Sequence, residues 1–182
     1  MLPDLKRHSR LALALTALVG LLGISAQAHA GTLTNAQITA FVKAQTAEAD
    51  AVTALVSQPS VDGVPLDPKN AKDVQLVTNL LGAVQNTFSL IGDGSYSSSL
   101  PFAEISAKEI LYYHVQALWV QMSSPSLVHS PFNVRDLLVD ISHDYLVEAT
   151  SLETIPVLEG LRVDQIVANS AMHLNQFAVR YN

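Results

Sequence analysis

Apolar positions in this chain fall into five runs with helical spacing, separated by segments rich in proline, glycine and serine. Ile38, Phe41, Val42, Val52, Leu55 and Val56 recur at that spacing and predict a helix over 35–57. Thr34 and Gln37 stand where a cap and its third residue satisfy each other's backbone amides. Pro59, Gly63 and Pro65 then interrupt the ladder. Asp67-Pro68 reads as the next start, because proline at the first helical position lacks only an amide that would be unbonded there. Val74, Val77, Leu81, Val84 and Phe88 form the buried stripe expected of this second helix. Gly92 to Ser99 is polar and glycine-serine-rich, and reads as a solvated connector.

The third helix is expected to open at a capping box of Ser106 and Glu109, with Ile105 and Ile110 as a hydrophobic staple, and to run to about Met122. Ser123-Ser124-Pro125 stops it. Asn133 caps a fourth helix, with Asp136 in the first turn facing the positive end of the helix dipole. Phe132 and Leu137 repeat the staple spacing, while Val134, Leu137, Leu138, Ile141 and Tyr145 mark the core side. A last helix carries Val163, Ile166, Val167, Ser170, Leu174 and Phe177 on one stripe and begins either at Pro156 or at Asp164. No stretch alternates with period two for long enough to build a sheet. The expected fold is all-α, an antiparallel bundle of four to five helices joined by short loops.

Residues 1–30 read differently. Lys6, Arg7 and Arg10 form a basic start, Leu11 to Ile24 is an uncharged apolar run, and Ala28-His29-Ala30 places small residues at a cleavage point. The run is shorter than the ~20 residues that span a bilayer. The expectation is an export signal over 1–30, cut after Ala30, and a single helical domain over 31–182. The localisation that follows is periplasmic or extracellular. Such a cut removes Lys6, Arg7, Arg10 and Asp4, so ten Lys and Arg become seven and sixteen Asp and Glu become fifteen, a formal charge of about minus eight. That sign repels phosphate backbones and anionic headgroups, which argues against nucleic acid and membrane surfaces as partners. The chain has no cysteine, which removes thiol catalysis and disulfide exchange.

Chemistry-bearing residues concentrate on the third and fourth predicted helices. His114 lies in the uncharged stretch Ile110 to Met122, whose helix is apolar most of the way round and so belongs at the centre of its bundle. A neutral imidazole bonded to a neighbour is the expectation there. His114 with Tyr113 and Trp119 is the candidate ligand-binding group. On the fourth helix, Asp140, His143, Asp144 and Glu148 sit three and four residues apart, bringing them onto neighbouring positions of one surface. Asp144 and Glu148 border the core side. With His114 and His173 they form the candidate metal set, although no Glu stands three residues before any His, as bundle di-metal sites require. No cofactor is otherwise implied. Serines are plentiful, but none sits in a Gly-x-Ser-x-Gly turn, and paired acids for glycoside cleavage could meet only through folding.

Leu33-Thr34-Asn35-Ala36-Gln37 is similar to the Leu-Thr-x-x-Gln box of periplasmic helical chaperones of the envelope-stress type. Those proteins are dense in charge and methionine, whereas this chain is 14% charged with three methionines. The same letters make an ordinary helix cap, so neither fold nor function is carried over. The low charge points instead to an outer face covered by another molecule. The expected function is that of a non-catalytic exported protein acting through a protein partner or self-association, such as an adaptor, chaperone or subunit of an envelope or export assembly. A helical metal- or small-ligand-binding protein is the alternative, and a carboxylate-based hydrolase the second alternative.

Overall fold

The computed structural model describes residues 32–59, 66–125 and 133–181. The expected export signal, the interruption at Gly63 and the expected staple residue Phe132 lie outside those residues. What is described is all-helical, with no strand. Five long helices, α1 (Asn35–Val56), α2 (Ala71–Ile91), α4 (Phe102–Ser123), α5 (Val134–Leu152) and α6 (Val163–Ala178), are joined by a four-residue helix α3 (Gly94–Ser97) and a 3₁₀ turn (Pro156–Leu158).

Buried positions on the long helices step alternately by four and three residues. On α1 they are Phe41, Gln45, Glu48, Val52 and Leu55; on α2, Asp73, Val77, Leu80, Val84, Thr87 and Ile91. On α4 they include Glu104, Lys108, Leu111, Val115, Leu118 and Met122; on α6, Val163, Val167, Ser170, Leu174 and Phe177. A repeat of this kind keeps one narrow seam turned toward neighbouring helices that lie side by side. Each long helix packs against the next long helix, and α6 packs back on α1, so the bundle closes into a ring. Long side chains pointing inward therefore meet near the ring's centre.

Local chemistry explains most boundaries. Thr34 and Gln37 make the reciprocal capping box at the start of α1, with Gln37 N donating to Thr34 Oγ1 at 3.2 Å and Thr34 N to Gln37 Oε1 at 2.8 Å. Asn133 caps α5 through a 2.9 Å bond from Arg135 N. At α2 the expected start shifts. Asp67 closes a tight turn by accepting from Lys69 N, while Asn70 caps the helix by accepting from Lys72 N at 3.0 Å. Proline at position 68 thus shapes the approach to the helix rather than its first turn.

Three further expectations are corrected. The Gly92 to Ser99 connector is not merely solvated, because Asp93 caps α3 and Tyr96 is buried, its hydroxyl donating to Gln37 O at 3.0 Å. This anchors the connector on the first turn of α1. Second, α4 begins a full turn before Ser106, with Pro101 at its cap and Glu104 in its first turn. Ser106 and Glu109 are interior residues of that helix and form no capping box. Third, of the two starts considered for the last helix, the later one is correct to within a residue. Pro156 opens only a 3₁₀ turn, and Gly160 and Arg162, at φ 82° and 56°, turn the chain before α6 begins.

Candidate functional site

The most concentrated chemistry lies inside the ring. Lys108 Nζ, fully buried on α4, sits 3.0 and 2.9 Å from the two carboxylate oxygens of Glu48 on α1 and 2.6 Å from Glu148 Oε1 on α5. Gln45 Nε2 donates to the same Glu148 oxygen at 2.6 Å. Tyr145 OH donates to Glu48 Oε2 at 3.1 Å, and the Tyr145 ring lies 5.8 Å from the Lys108 ammonium. The 4-3 spacing accounts for the cluster, since Gln45 and Glu48, Glu104 and Lys108, and Tyr145 and Glu148 take seam positions that apolar residues fill elsewhere.

Glu104, one turn before Lys108, completes the group. It is fully buried and faces Glu148 and Ser151, yet neither of its oxygens has a hydrogen-bond donor among the described residues. Glu148 Oε2, Gln45 Oε1 and Ser151 Oγ are unpartnered as well. Three carboxyl groups share one ammonium here, and desolvating an ion costs several kcal/mol unless it is paired. Burial, then the neighbouring Glu148, push the Glu104 carboxyl well above the usual range, with Lys108 pulling the other way. Burial raises Glu148 too, against Lys108. For Lys108, burial disfavours the ammonium, but Glu148, Glu48 and Glu104 outweigh it and its pKa rises. A proton on Glu104 directed at Glu148 Oε2 gives both carboxyl groups a partner and leaves Lys108 charged between Glu48 and Glu148. Chemically this is a closed ion-pair core, because the Lys108, Glu48, Glu104 and Glu148 side chains are all sealed from solvent.

The sequence-derived candidates are partly separated. His114 Nδ1 lies 2.5 Å from Asp144 Oδ2, joining α4 to α5, with the imidazole about one-third exposed and the carboxyl buried. Burial raises the Asp144 carboxyl, opposed by the bond to His114. Glu148, one turn beyond Asp144, is committed to Lys108 and Gln45, and half-buried His173 on α6 is bonded to none of the other three. Among the described residues no three His, Asp or Glu side chains gather closely enough to hold a metal ion. Tyr113 points outward and is about half exposed. Trp119 turns to α2, its indole N–H donating to Thr78 Oγ1 at 3.1 Å, and two turns earlier on α4 the Tyr112 ring stacks on Phe88 of α2 at 5.3 Å. His114, Tyr113 and Trp119 therefore face three directions from one helix.

Sequence reasoning missed Glu48, Glu104 and Lys108. The 4-3 steps from Glu104 through Lys108 to Leu111 and Val115 were the available signal, since they align two charges with an apolar seam.

The exterior is asymmetric. Phe102, Ile110, Tyr113 and Val120 on α4, Val139, Leu146 and Val147 on α5, and Met172 on α6 are exposed, whereas α1 and α2 expose no large apolar side chain. A shallow groove between α5 and α6 has Val139, Leu146, Ala168 and Met172 along it. A second lies between the start of α4 and the end of α5, at Ala103, Val147 and Thr150. No helix among the described residues is long and apolar enough to cross a membrane. Neither a known protein family, nor a curated protein, nor a solved structure matches this chain.

Proposed function

We propose that this chain is an exported, non-catalytic helical protein that works by binding another protein, as a periplasmic or secreted adaptor, chaperone or subunit of an envelope or export assembly. The observation that carries this reading is the distribution of exposed apolar side chains, crowded on α4, α5 and α6 and missing from the described faces of α1 and α2. Apolar surface left in water is unfavourable by ~25 cal/mol per Å², and a contiguous patch of it is the ordinary mark of an interaction face. The Lys108, Glu48, Glu104 and Glu148 side chains point the other way, into the sealed interior. The acidic balance of the chain disfavours nucleic acid and anionic membranes. The short described connections suit antiparallel neighbours.

A photo-crosslinking residue placed in living cells at Tyr113, Leu146 or Met172, with Lys43 on α1 as the control, tests this reading. Adducts specific to the α4–α6 positions support it. Equal labelling from Lys43, or no adduct from any of the three, overturns it.

The His114–Asp144 pair favours a second reading, a small-ligand or metal protein. A carboxylate holding one imidazole nitrogen orients the other toward a ligand. Binding of zinc or of an imidazole-directed ligand that disappears in both His114→Ala and Asp144→Asn would support it over the first.

A further inference from the structure

We infer that a single proton held between Glu104 and Glu148 latches the start of α4 against the end of α5, and that its release opens this corner of the bundle to water. A count of donors leads there. An ammonium offers three N–H groups, and Lys108 has three carboxylate oxygens within 3.0 Å, two on Glu48 and one on Glu148. Its donors are spent. The Tyr145 hydroxyl is spent on Glu48, and Gln45 donates to the same Glu148 oxygen that Lys108 meets. Glu104 Oε1, Glu104 Oε2 and Glu148 Oε2 are left without a partner, with the Ser151 hydroxyl, also unpartnered, facing Glu104. One added proton completes the set. Carried on one Glu104 oxygen, it is donated to Glu148 Oε2, while the other Glu104 oxygen accepts from Ser151. Without it two carboxylates face each other in a sealed site, and like charges at that range do not both ionise.

The charges that face Glu104 are Glu148 from α5 and Lys108 from its own helix, with Glu48 of α1 bonded to the same ammonium. The buried side chains at the end of α2 are Thr87 and Ile91, and the buried acid of that helix, Asp73, lies at its opposite end. No buried side chain of α6 is charged. Burial and Glu148 therefore hold the Glu104 proton past the pH at which an exposed glutamate loses it, against the pull of Lys108.

The place that yields is set by how little else secures it. Of the first four residues of α4, Phe102 and Ala103 are exposed, Ile105 is half-buried, and Glu104 alone is buried. Pro101 caps the helix with no side-chain bond. Ser151 belongs both to the Glu104 group and to the wall of the outer groove along Ala103, Val147 and Thr150. An ionised Glu104 gains water most directly there, by separation of the first turn of α4 from the end of α5. Phe102 and Val147 ride on the two parting segments and belong to the exposed apolar face. The proton thus also governs how that face is presented, a step that rests on the binding reading above.

Native-state hydrogen exchange of the purified chain between pH 5 and pH 9, corrected for the intrinsic pH dependence of amide exchange, tests the latch without any partner. Protection of residues 102–108 and 147–152 is expected to fall by up to about tenfold per pH unit, the slope for release of one proton. Sub-denaturing urea should change that protection little, because a local opening exposes little surface. Glu104→Gln, whose amide donates to Glu148 Oε2 with no proton to lose, should keep at pH 9 the protection it has at pH 5. Glu109→Gln, at an exposed acid of the same helix, should behave as wild type. Protection that is constant across the range, that falls equally in Glu104→Gln, or that urea lowers in step with the rest of the bundle overturns the inference. Should Glu104→Gln not fold, the wild-type profile with and without urea decides alone. If the latch behaves as expected while crosslinkers at Tyr113, Leu146 and Met172 capture nothing, the latch stands and the binding reading falls.

Discussion

Lys108 Nζ and Glu148 Oε1 lie 2.6 Å apart at the centre of the helical ring, both side chains sealed from water, with Glu48 closing on the same ammonium from a third helix. The value of such a pair depends on what is removed. Taking away the cation alone leaves Glu48 and Glu148 buried and unpaired, and breaking a buried pair this way costs about 3–5 kcal/mol. Lys108→Met should therefore lower stability by that amount in urea denaturation. The triple variant Lys108→Met, Glu48→Gln, Glu148→Gln removes charge from all three positions and should recover most of the loss. If the triple variant is no more stable than Lys108→Met, the charges are not what the fold depends on.

The His114–Asp144 bond makes a separate prediction, since it is solvent-reached on one side only. Asp144 is raised by burial and pulled back by the imidazole bonded to it. His114→Ala removes the pull but not the burial, so the Asp144 carboxyl should titrate at still higher pH. Carbon-detected NMR of the side-chain carboxyls reads this directly. An Asp144 titration unchanged by the substitution would mean that the bond is not held in solution.

Two glycines with open space around them should respond in opposite directions. An added Cβ meets nothing within 4 Å at either Gly82, inside α2, or Gly160, before α6. Gly82→Ala should stabilise by about 0.5–1 kcal/mol, because the helical conformation is retained and the unfolded chain loses freedom. Gly160 has a φ of 82°, which a side chain adopts only with backbone strain, so Gly160→Ala should cost about 1–2 kcal/mol without any clash. Thermal melts of the two single variants separate these signs.

What the sequence shows plainly is whatever is decided within one turn of chain. Thr34 with Gln37 and Asn133 with Arg135 are contacts between near neighbours, so their letters alone predict the starts of α1 and α5. Ser106 and Glu109 display the same letters and mislead, because Pro101 already starts the helix upstream and the box has no free amides to serve. On α5 the core side was legible through Leu137, Leu138, Ile141 and Tyr145, and Asp144 and Glu148 were placed at its border. Their full burial was not legible, since it depends on Lys108, Gln45 and His114 arriving from other helices. Glu48 went unread on α1 for the same reason. A charge at a seam position is stable only beside a partner far away in sequence, and one-dimensional spacing identifies the seam but not that partner.

Glu104 offers the sharpest test of the interior. Burial and Glu148 hold its carboxyl well above the value of 4.5 it has when exposed, and Glu148 is raised as well. The native state therefore binds more protons than the unfolded state in the window above pH 4.5, and stability falls as pH rises through it. This is opposite to the usual salt-bridged acid, whose stabilisation is lost on acidification. Glu104→Gln supplies a neutral group of the same shape that can still donate to Glu148 Oε2. It should leave stability nearly unchanged near pH 5 and raise it at pH 8, where the wild-type carboxyl must either hold its proton at a cost or ionise in the core. Urea midpoints for wild type and variant across that range measure the difference. Two curves that stay parallel from pH 5 to pH 8 would show that Glu104 carries no proton the fold depends on, and that another group satisfies its buried oxygens.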